Sequence, residues 1–454
     1  MHIINPATEE IIATIQEDSI DSLAIKFGRL QHASSAWSAV PLQNRIDIIE
    51  KFVFLIKENS EELAAILTSE MGKPLQQSRN EINGAGAKAS WLAQHAIQYL
   101  TDEIMSLSDQ LTEKIVYEPL GVICNISAWN YPYNVGVNIF VPALLAGNAV
   151  MYKPSEYASL TGLQIANYLI EAGVPEDVFQ VAIGEGDVGK ALLDMPFDGF
   201  YFTGSYQTGQ KIYTHVATKM VPCVLELGGK DPVYVADDVV DVVAVAAGIA
   251  DGAFYNNGQS CCSVERIYVQ SAVYEEFVQA FVEEVNSWKV GLPTEDGVYI
   301  SVLSRKAQLD VLTSQVENAL AKGARVLVGG KRMEGKGNYF EPTVLVDVTN
   351  EMTLMREESF GPIIGIMRVE HDADAIRLMN DTTYGLTAGV YSADQNRAEA
   401  ILALVDSGSG YWNCCDRVSA ALPWSGRGHS GFGLTLSHVG LRAFTKPKAY
   451  HLRK

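Results

Sequence analysis

Two adjacent thiols, Cys261 and Cys262, stand in a segment rich in Asn, Gly and Ser at residues 256–263. The segment follows the apolar run Gly248–Phe254 and precedes the strand-like Glu265–Gln270, a position in which loops on a rigid scaffold often carry catalytic groups. Free cysteines also occur as small, inert core residues. The pair on its own therefore leaves a nucleophile and a packing role both open.

Two glycine-rich segments that follow apolar strands are candidate phosphate sites. Residues 184–189 spell G-x-G-x-x-G, but they include two acids that would repel a pyrophosphate, and the acidic residue expected about twenty positions later is missing. Residues 202–209 open a helix with Gly204 and Ser205 and contain no acid. Because backbone N–H groups and the positive end of the helix dipole bind anions, the second segment is the stronger candidate.

A cation and a carboxylate lie close together after an earlier strand, at Lys153 and Glu156. In a sheet of parallel strands this position is the edge at which ligands bind, and an adenosine ribose would lie there. A solvated surface pair is the alternative interpretation.

The order of the predicted elements indicates the architecture. Apolar spacing predicts helices over residues 20–100. Within this region, Gly72-Lys73-Pro74 predicts the end of one helix. Strands and helices then alternate, which is typical of a doubly wound parallel sheet. The first strands are predicted at Gly121–Ser127, Ala149–Tyr152, Val178–Ile183, Gly199–Thr203 and Pro222–Leu227. A second α/β region has strand candidates at Glu265–Val269, Arg325–Val328, Val344–Val346, Ile363–Val369 and Leu386–Tyr391.

Composition excludes several classes of protein. The 454 residues are 48% hydrophobic, enough for roughly two or three domains, and the formal net charge of −20 argues against nucleic acid or anionic membrane as partners. No leader-like start and no run of about 18 apolar residues is present, so we expect a cytoplasmic protein. The six cysteines show no C-x-x-C spacing, which disfavours a disulfide framework and a metal site.

Ten short motifs occur in an order that resembles the aldehyde dehydrogenase superfamily over nearly the whole chain, and the short chain resembles its compact semialdehyde dehydrogenases. They are Ile4–Thr8, Glu70–Pro74, Ala128–Pro132, Lys153–Glu156, Phe202–Ser205, Glu226–Lys230, Gly258–Cys261, Glu341–Thr343, Glu357–Pro362 and Trp424–Gly426.

The resemblance implies a fold with three parts. Residues 1–105 and 124–227 would form the dinucleotide-binding domain with the doubly wound sheet, and residues 228–425 an α/β catalytic domain. Residues 106–123 and 440–454 would form a small β oligomerisation arm, and a homodimer or homotetramer is expected.

The resemblance also assigns the chemistry, which is oxidation of a small-molecule aldehyde to a carboxylic acid. Cys261 would be the nucleophile that forms the tetrahedral adduct. The Asn130 side chain, with the Cys261 backbone N–H, would stabilise the oxyanion, and Glu226 would activate water for thioester hydrolysis. Burial at the end of an apolar strand would raise the pKa of Glu226 toward neutrality. An Asn-Tyr-Pro turn and a structural glutamate are the open alternatives.

For the cofactor, the resemblance places several residues around NAD. Because a carboxylate at Glu156 can bond two ribose hydroxyls but repels a 2′-phosphate, NAD is favoured over NADP. The implied cofactor residues are Trp129, Lys153, Glu156, Gly204, Ser205, Glu358 and Phe360.

The substrate side departs from the family pattern. Ile139 stands where many members carry a lysine, while Asn138 and Tyr255 replace the two arginines with which succinic semialdehyde enzymes hold their substrate. Tyr133 and Tyr255 are predicted to belong to an aromatic-lined mouth. Arg417 could bind an anionic substrate or pair with the neighbouring Asp416.

Two other functions use the same residues. A Cys-dependent thioester hydrolase or acyltransferase would need a histidine base beside the thiol, and none of the eight histidines lies in these motifs. A catalytically silent binding protein is disfavoured because Asn130, Glu226 and Cys261 are all present. Glu226 also favours release of a free acid over transfer to coenzyme A.

Overall fold

The computed structural model describes residues 1–454, which form a layer of helices, two parallel sheets and a small antiparallel sheet. The N-terminal part contains β1 (His2–Ile4), β2 (Ile11–Thr14), α1 (Ile20–Ser38), α2 (Leu42–Glu58), α3 (Ser60–Met71) and α4 (Leu75–Leu100). Helix α3 ends where Gly72 adopts a φ of 81°. A Cβ there would lie 2.3 Å from the Val302 side chain, so glycine is required by both conformation and space.

The first sheet carries the predicted alternation of strands and helices. Its elements are β5 (Val122–Ile126), α5 (Pro132–Ala146), β6 (Ala149–Lys153), α6 (Ser159–Ala172), β7 (Phe179–Val181), α7 (Gly186–Asp194), β8 (Gly199–Thr203), α8 (Tyr206–Val216) and β9 (Cys223–Glu226). Strand order is β19-β9-β8-β5-β6-β7, and all pairs are parallel except the one between β9 and the returning strand β19 (Gly431–Phe432). The doubly wound parallel sheet is thereby confirmed.

The second sheet has seven strands in the order β14-β15-β16-β11-β10-β17-β18, parallel apart from the β14–β15 pair. Its elements are β10 (Asp231–Val235), α9 (Val242–Phe254), β11 (Val264–Gln270), α10 (Tyr274–Ser287), β12 (Lys289–Val290), β13 (Val298–Ile300), α11 (Lys306–Ala321), β14 (Arg325–Val328), β15 (Thr343–Val346), α12 (Thr353–Arg356), β16 (Ile363–Val369), α13 (Asp372–Met379), β17 (Thr387–Tyr391), α14 (Gln395–Leu402) and β18 (Ser409–Trp412). Strands β12 and β13 pair separately with each other.

Alternation of side chains along β10 builds a core on each face of this second sheet. Val233 and Val235 belong to one buried cluster, whereas Tyr234 between them belongs to another, as expected when successive residues point to opposite faces. Helices therefore cover both faces of the sheet.

Strands β1 and β2 pair with each other in a separate antiparallel sheet, and the other remaining strands form a three-stranded antiparallel sheet. Strands β3 (Glu103–Leu107) and β4 (Leu111–Pro119) make a hairpin, and β20 (Thr445–Arg453) pairs with β4 along its whole length. Helix α15 (Ser437–Arg442) precedes β20 and contacts α4. No helix has the length and apolar character needed to cross a membrane.

Candidate active site

The two thiols lie on a sharply turned segment, residues 255–263, which we call the thiol loop. Three consecutive residues, Asn256, Asn257 and Gly258, have positive φ values of 54°, 57° and 69°. Asparagine tolerates this left-handed region better than most residues. At Gly258 a Cβ would lie 2.4 Å from the Gly361 carbonyl oxygen, so no other residue fits without displacing the backbone.

Side-chain amides hold the two asparagines in this conformation. The Asn256 Nδ2 donates to the carbonyl oxygens of Asn130 and Gln259, each at 3.1 Å. The Asn257 Oδ1 accepts from the Ser301 N–H at 2.6 Å, and its Nδ2 donates to the Val302 carbonyl at 3.1 Å. These bonds offset a conformational cost of about 1–3 kcal/mol per strained residue.

The two thiols have different environments. Cys261 is half-buried, whereas Cys262 is 5% exposed and its Sγ donates to the Asp416 carboxylate at 3.0 Å. The hydrogen bond with Cys261, burial and the Asp416 charge each raise the pKa of Cys262 well above its usual range. Cys262 is therefore held as a thiol, and the accessible sulfur is Cys261.

Asn130 lies against the thiol loop, at the turn between β5 and α5. Its Nδ2 donates to the Gln259 carbonyl at 3.1 Å, two residues before Cys261. Its own carbonyl accepts from the Lys73 Nζ at 2.9 Å. The Asn130 side-chain amide is thus fixed against the thiol loop, with only 4% of the residue exposed.

A buried ion pair behind Asn130 went unrecognised in the sequence. Lys73, read there as part of a helix stop, is fully buried and pairs with the Glu81 carboxylate. Burial lowers the pKa of Lys73, and Glu81 opposes that change. Glu81 also accepts from the Tyr133 N–H at 2.9 Å, so the pair joins the start of α5 to α4.

Glu226 is the last residue of β9 and is 7% exposed. One carboxylate oxygen accepts a hydrogen bond from the Thr435 hydroxyl. Burial raises the pKa of Glu226 to about 7, while Thr435 and the charge of Lys88 lower it. A Cβ at Gly229 would lie 2.5 Å from the Cys261 carbonyl oxygen, so the chain leaving β9 passes directly against the thiol loop.

The helix end predicted to bind phosphate is free to do so. Ser205 is the N-cap of α8 but makes no side-chain cap, and the first turn contains no acid, so the terminal N–H groups are available to an anion. Lys153, 4% exposed, has one hydrogen bond, at 3.3 Å to the Pro154 carbonyl. Burial lowers the pKa of Lys153, and Glu156 counters it. The residues present fit a dinucleotide.

The nicotinamide side of the predicted cofactor site is built by the segment after α12. Glu358 accepts from the Gly229 N–H at 3.1 Å, and burial raises its pKa to about 8. Phe360 has a φ of 48°, and its N–H donates to Glu265 at 3.0 Å. The Phe360 ring meets Trp129 edge to face, with centroids 5.4 Å apart. Glu358 is therefore held at Gly229, and Phe360 is held against Trp129.

The structure corrects one expectation about the substrate side and removes one of the two alternatives for Arg417. Tyr133, in the first turn of α5, is fully buried in the core and does not line an open mouth. Arg417 is exposed and forms no ion pair with Asp416, whose carboxylate instead accepts from Cys262 and from Ser260 at 3.3 Å. Tyr255 is half-buried, and its hydroxyl accepts from Asn80 at 3.0 Å.

A doubly wound sheet with a free helix N-terminus, facing a loop that exposes one thiol, is the arrangement of an α/β enzyme that combines a nucleotide cofactor with covalent chemistry. Comparison with known proteins identifies the class further. The model of the aldehyde dehydrogenase family matches residues 1–450. The chain belongs to the aldehyde dehydrogenase family, and it is an enzyme that oxidises an aldehyde.

Relatives and solved structures agree over nearly the whole chain. The betaine aldehyde dehydrogenase of Cereibacter sphaeroides is 34% identical over 451 residues, which are 99% of this chain and 93% of the relative. A probable succinate-semialdehyde dehydrogenase [NADP(+)] of Sinorhizobium fredii is 34% identical, with 98% and 91% covered. The aldehyde dehydrogenase KauB of Pseudomonas aeruginosa superimposes with a TM-score of 0.97 at 30% identity, with 100% and 93% covered.

Proposed function

We propose that the enzyme oxidises its aldehyde to a free carboxylic acid with NAD, using Cys261 as nucleophile, Asn130 as oxyanion donor and Glu226 as base. The observation that carries this proposal is that the thiol loop contacts Asn130 and the segment that directly follows Glu226. Asn130 donates to the Gln259 carbonyl at 3.1 Å, and the Glu226 strand leads into Gly229, which packs on the Cys261 carbonyl.

The proposed reaction has two halves, formation of a thioester on Cys261 and hydrolysis of that thioester. The Cys261 sulfur, as thiolate, bonds to the aldehyde carbon, and the Asn130 amide with the Cys261 N–H stabilises the resulting oxyanion. Bound NAD supplies the acceptor for the hydride that leaves this carbon, so that a thioester on Cys261 remains. Glu226 then takes a proton from water, the hydroxide adds to the thioester, and the carbon–sulfur bond breaks to release the acid and the thiolate.

Several observations support Glu226 as the base of the second half. The pKa of about 7 lies near neutrality, where a general base is most effective. The carboxylate has one hydrogen-bond donor, Thr435, which leaves its second oxygen able to accept from water. No histidine donates to or accepts from Cys261, which disfavours the alternative of a cysteine hydrolase with a histidine base.

The preference for NAD rests on Glu156. This half-buried carboxylate stands at the start of a short helical turn after β6, next to Lys153. A carboxylate there suits two ribose hydroxyls and disfavours a 2′-phosphate. Lys153, Gly204 and Ser205 would hold the adenosine ribose and pyrophosphate, whereas Glu358, Phe360 and Trp129 would hold the nicotinamide end.

The assembly and compartment belong to the same proposal. Strand β20 forms the outer edge of the small antiparallel sheet, and such an edge is suited to pair with a second subunit; we infer a homodimer or homotetramer. All six cysteines are free, which favours a reducing compartment such as the cytoplasm.

NADH absorbance recorded with a panel of neutral, carboxylated and cationic aldehydes tests the proposed function. We expect NAD-dependent turnover that Cys261→Ser abolishes while NAD still raises the melting temperature. The matched change Cys262→Ser keeps a donor to Asp416 and should retain turnover. The absence of NAD-dependent oxidation with every aldehyde, or loss of turnover in Cys262→Ser but not in Cys261→Ser, would overturn the assignment.

A further inference from the structure

One face of α4 points at the thiol loop and at the first turn of α5. Gln77 accepts from the Asn256 N–H at 2.9 Å, and Glu81 accepts from the Tyr133 N–H at 2.9 Å. At Gly84 an added Cβ would lie 3.6 Å from the Asn134 side chain. The spacing of four and three residues keeps these positions on one face of the helix, and the next position on that face is Lys88.

Lys88 is a half-buried cation that has no partner. It makes no hydrogen bond, and no carboxylate lies within the 4.0 Å that defines an ion pair. Burial lowers the pKa of Lys88, and the charges of Cys262, Glu226, Glu81 and Cys261 counter it in that order. An ammonium group held near the thiols without a counter-ion is costly unless a ligand supplies one.

The facing side of α5 also carries unused hydrogen-bonding groups. Asn134 and Asn138 are four residues apart and lie on one face of the helix. Neither side-chain amide makes a hydrogen bond, and the Oδ1 atom of each is buried without a partner. Asn138 is only 4% exposed. Because buried amides are normally satisfied, the face of α5 that carries Asn134 and Asn138 has hydrogen-bonding groups left for a polar ligand.

We propose that Lys88, assisted by Asn138, binds the carboxylate of a short aldehyde substrate whose carbonyl group reacts at Cys261. This inference rests on the proposed function of Cys261. It makes the substrate class a semialdehyde with a terminal carboxylate, because that group would neutralise the cation and accept from an amide. A quaternary ammonium aldehyde would instead meet an unneutralised like charge.

The opposing explanation is that Lys88 acts on Glu226. A cation paired with the base would be expected within ion-pair distance of its carboxylate, and no such pair is formed, since Glu226 contacts Thr435. Specificity kinetics separate the two roles. A substrate contact changes the preference between aldehydes, whereas an effect on the base changes the hydrolysis of every acyl group alike.

The test compares kcat/KM for succinic semialdehyde, butanal and betaine aldehyde in the wild type, Lys88→Met and Lys88→Arg. In the wild type, succinic semialdehyde should be the best of the three. Lys88→Met should lower the ratio of succinic semialdehyde to butanal by about tenfold to hundredfold, as for loss of one charge-assisted hydrogen bond, with the change mainly in KM. Lys88→Arg should restore part of the ratio.

The matched control is Lys57→Met, which removes an exposed lysine from α2 and should leave the ratio within about threefold. An unchanged ratio in Lys88→Met, an equal fall for both aldehydes, or a wild-type preference for betaine aldehyde would each overturn the substrate assignment. If the wild type oxidised butanal but no carboxylated aldehyde, the proposed function would stand and the assignment would fall. If it oxidised no aldehyde, the proposed function would fall, and calorimetry would test the carboxylate site on its own. Succinate should then bind at least about tenfold more weakly to Lys88→Met than to the wild type.

Discussion

The Thr435 hydroxyl donates a hydrogen bond to the Glu226 carboxylate across 209 positions of sequence. The two residues meet because β19 returns to pair with β9, in register with Gly431 opposite Glu226. Both side chains are buried. A hydroxyl that donates to a carboxylate stabilises its charged form, so this contact lowers the pKa of Glu226 against the larger raising effect of burial.

Removal of the Thr435 hydroxyl should move the pH dependence of hydrolysis upward. Burial holds the pKa of Glu226 at about 7 against the lowering effect of Thr435. Thr435→Val removes that effect, so the pKa rises and the basic form of Glu226 appears only at higher pH. We expect the midpoint of the hydrolysis rate to rise by about one pH unit, measured from the slow phase that follows the NADH burst. Thr435→Ser keeps the donor and should keep the midpoint.

Replacement of Glu226 by glutamine should separate the two halves of the reaction. Glutamine keeps the shape of the side chain but cannot take a proton from water, whereas Cys261 and Asn130 are unchanged. Stopped-flow absorbance should show a burst of NADH close to one per active site, followed by a steady rate about 10²–10⁴-fold lower than in the wild type. Loss of the burst together with the steady rate would contradict the role in hydrolysis.

The first sheet could be predicted from the sequence because its strands are buried on both faces. Apolar runs bounded by turn residues mark β5, β6, β8 and β9 to within about two residues. Strand β10 was missed because Pro232 and Asp231 stand inside it, and proline normally argues against a central strand. In the structure Asp231 is buried and its carboxylate accepts from the Thr387 hydroxyl at 2.6 Å, a tertiary contact that no local pattern reports.

The active-site motifs were recognisable, but the lysines in and just before α4 were not. Cys261, Asn130 and Glu226 stand in short segments with distinct composition, whereas Lys73 looks like part of a helix stop and Lys88 like an ordinary helix residue. Their places beside α5 depend on the packing of α4 on α5. Arg417 shows the converse: proximity in sequence to Asp416 made a pair one of two alternatives, yet Arg417 is exposed and the Asp416 carboxylate accepts from Cys262. Folding, and not spacing along the chain, decides which cations enter the site.

The Lys73–Glu81 pair should contribute strongly to both stability and rate. Glu81→Leu leaves Lys73 buried without its counter-ion and removes the acceptor of the Tyr133 N–H. We expect a loss of roughly 3–5 kcal/mol in the free energy of unfolding, measured by denaturant titration, and a lower kcat because Lys73 also positions Asn130.

Two further variants distinguish a buried pair from charge loss in general. The double change Lys73→Met with Glu81→Leu should recover part of the stability, since no uncompensated charge remains, but it should not recover kcat. Glu61→Gln, which breaks an exposed pair with Arg79 in the same helical layer, should have a far smaller effect on unfolding. Equal effects of Glu81→Leu and Glu61→Gln would contradict the argument.

Glu156 should control the choice between NAD and NADP. Under the proposed function its carboxylate would repel a second negative group at the ribose, so Glu156→Gln should reduce the ratio of kcat/KM for NAD over NADP by about tenfold or more, mainly by improving NADP. The rise in melting temperature that NAD or NADP causes, recorded without an aldehyde, should show the same change of preference in binding. The control is Glu185→Gln, because Glu185 is a second acid, exposed to solvent, whose charge also reaches Lys153. Long-range repulsion would make the two substitutions equivalent, whereas a direct role at the ribose requires that only the Glu156 variant changes the preference.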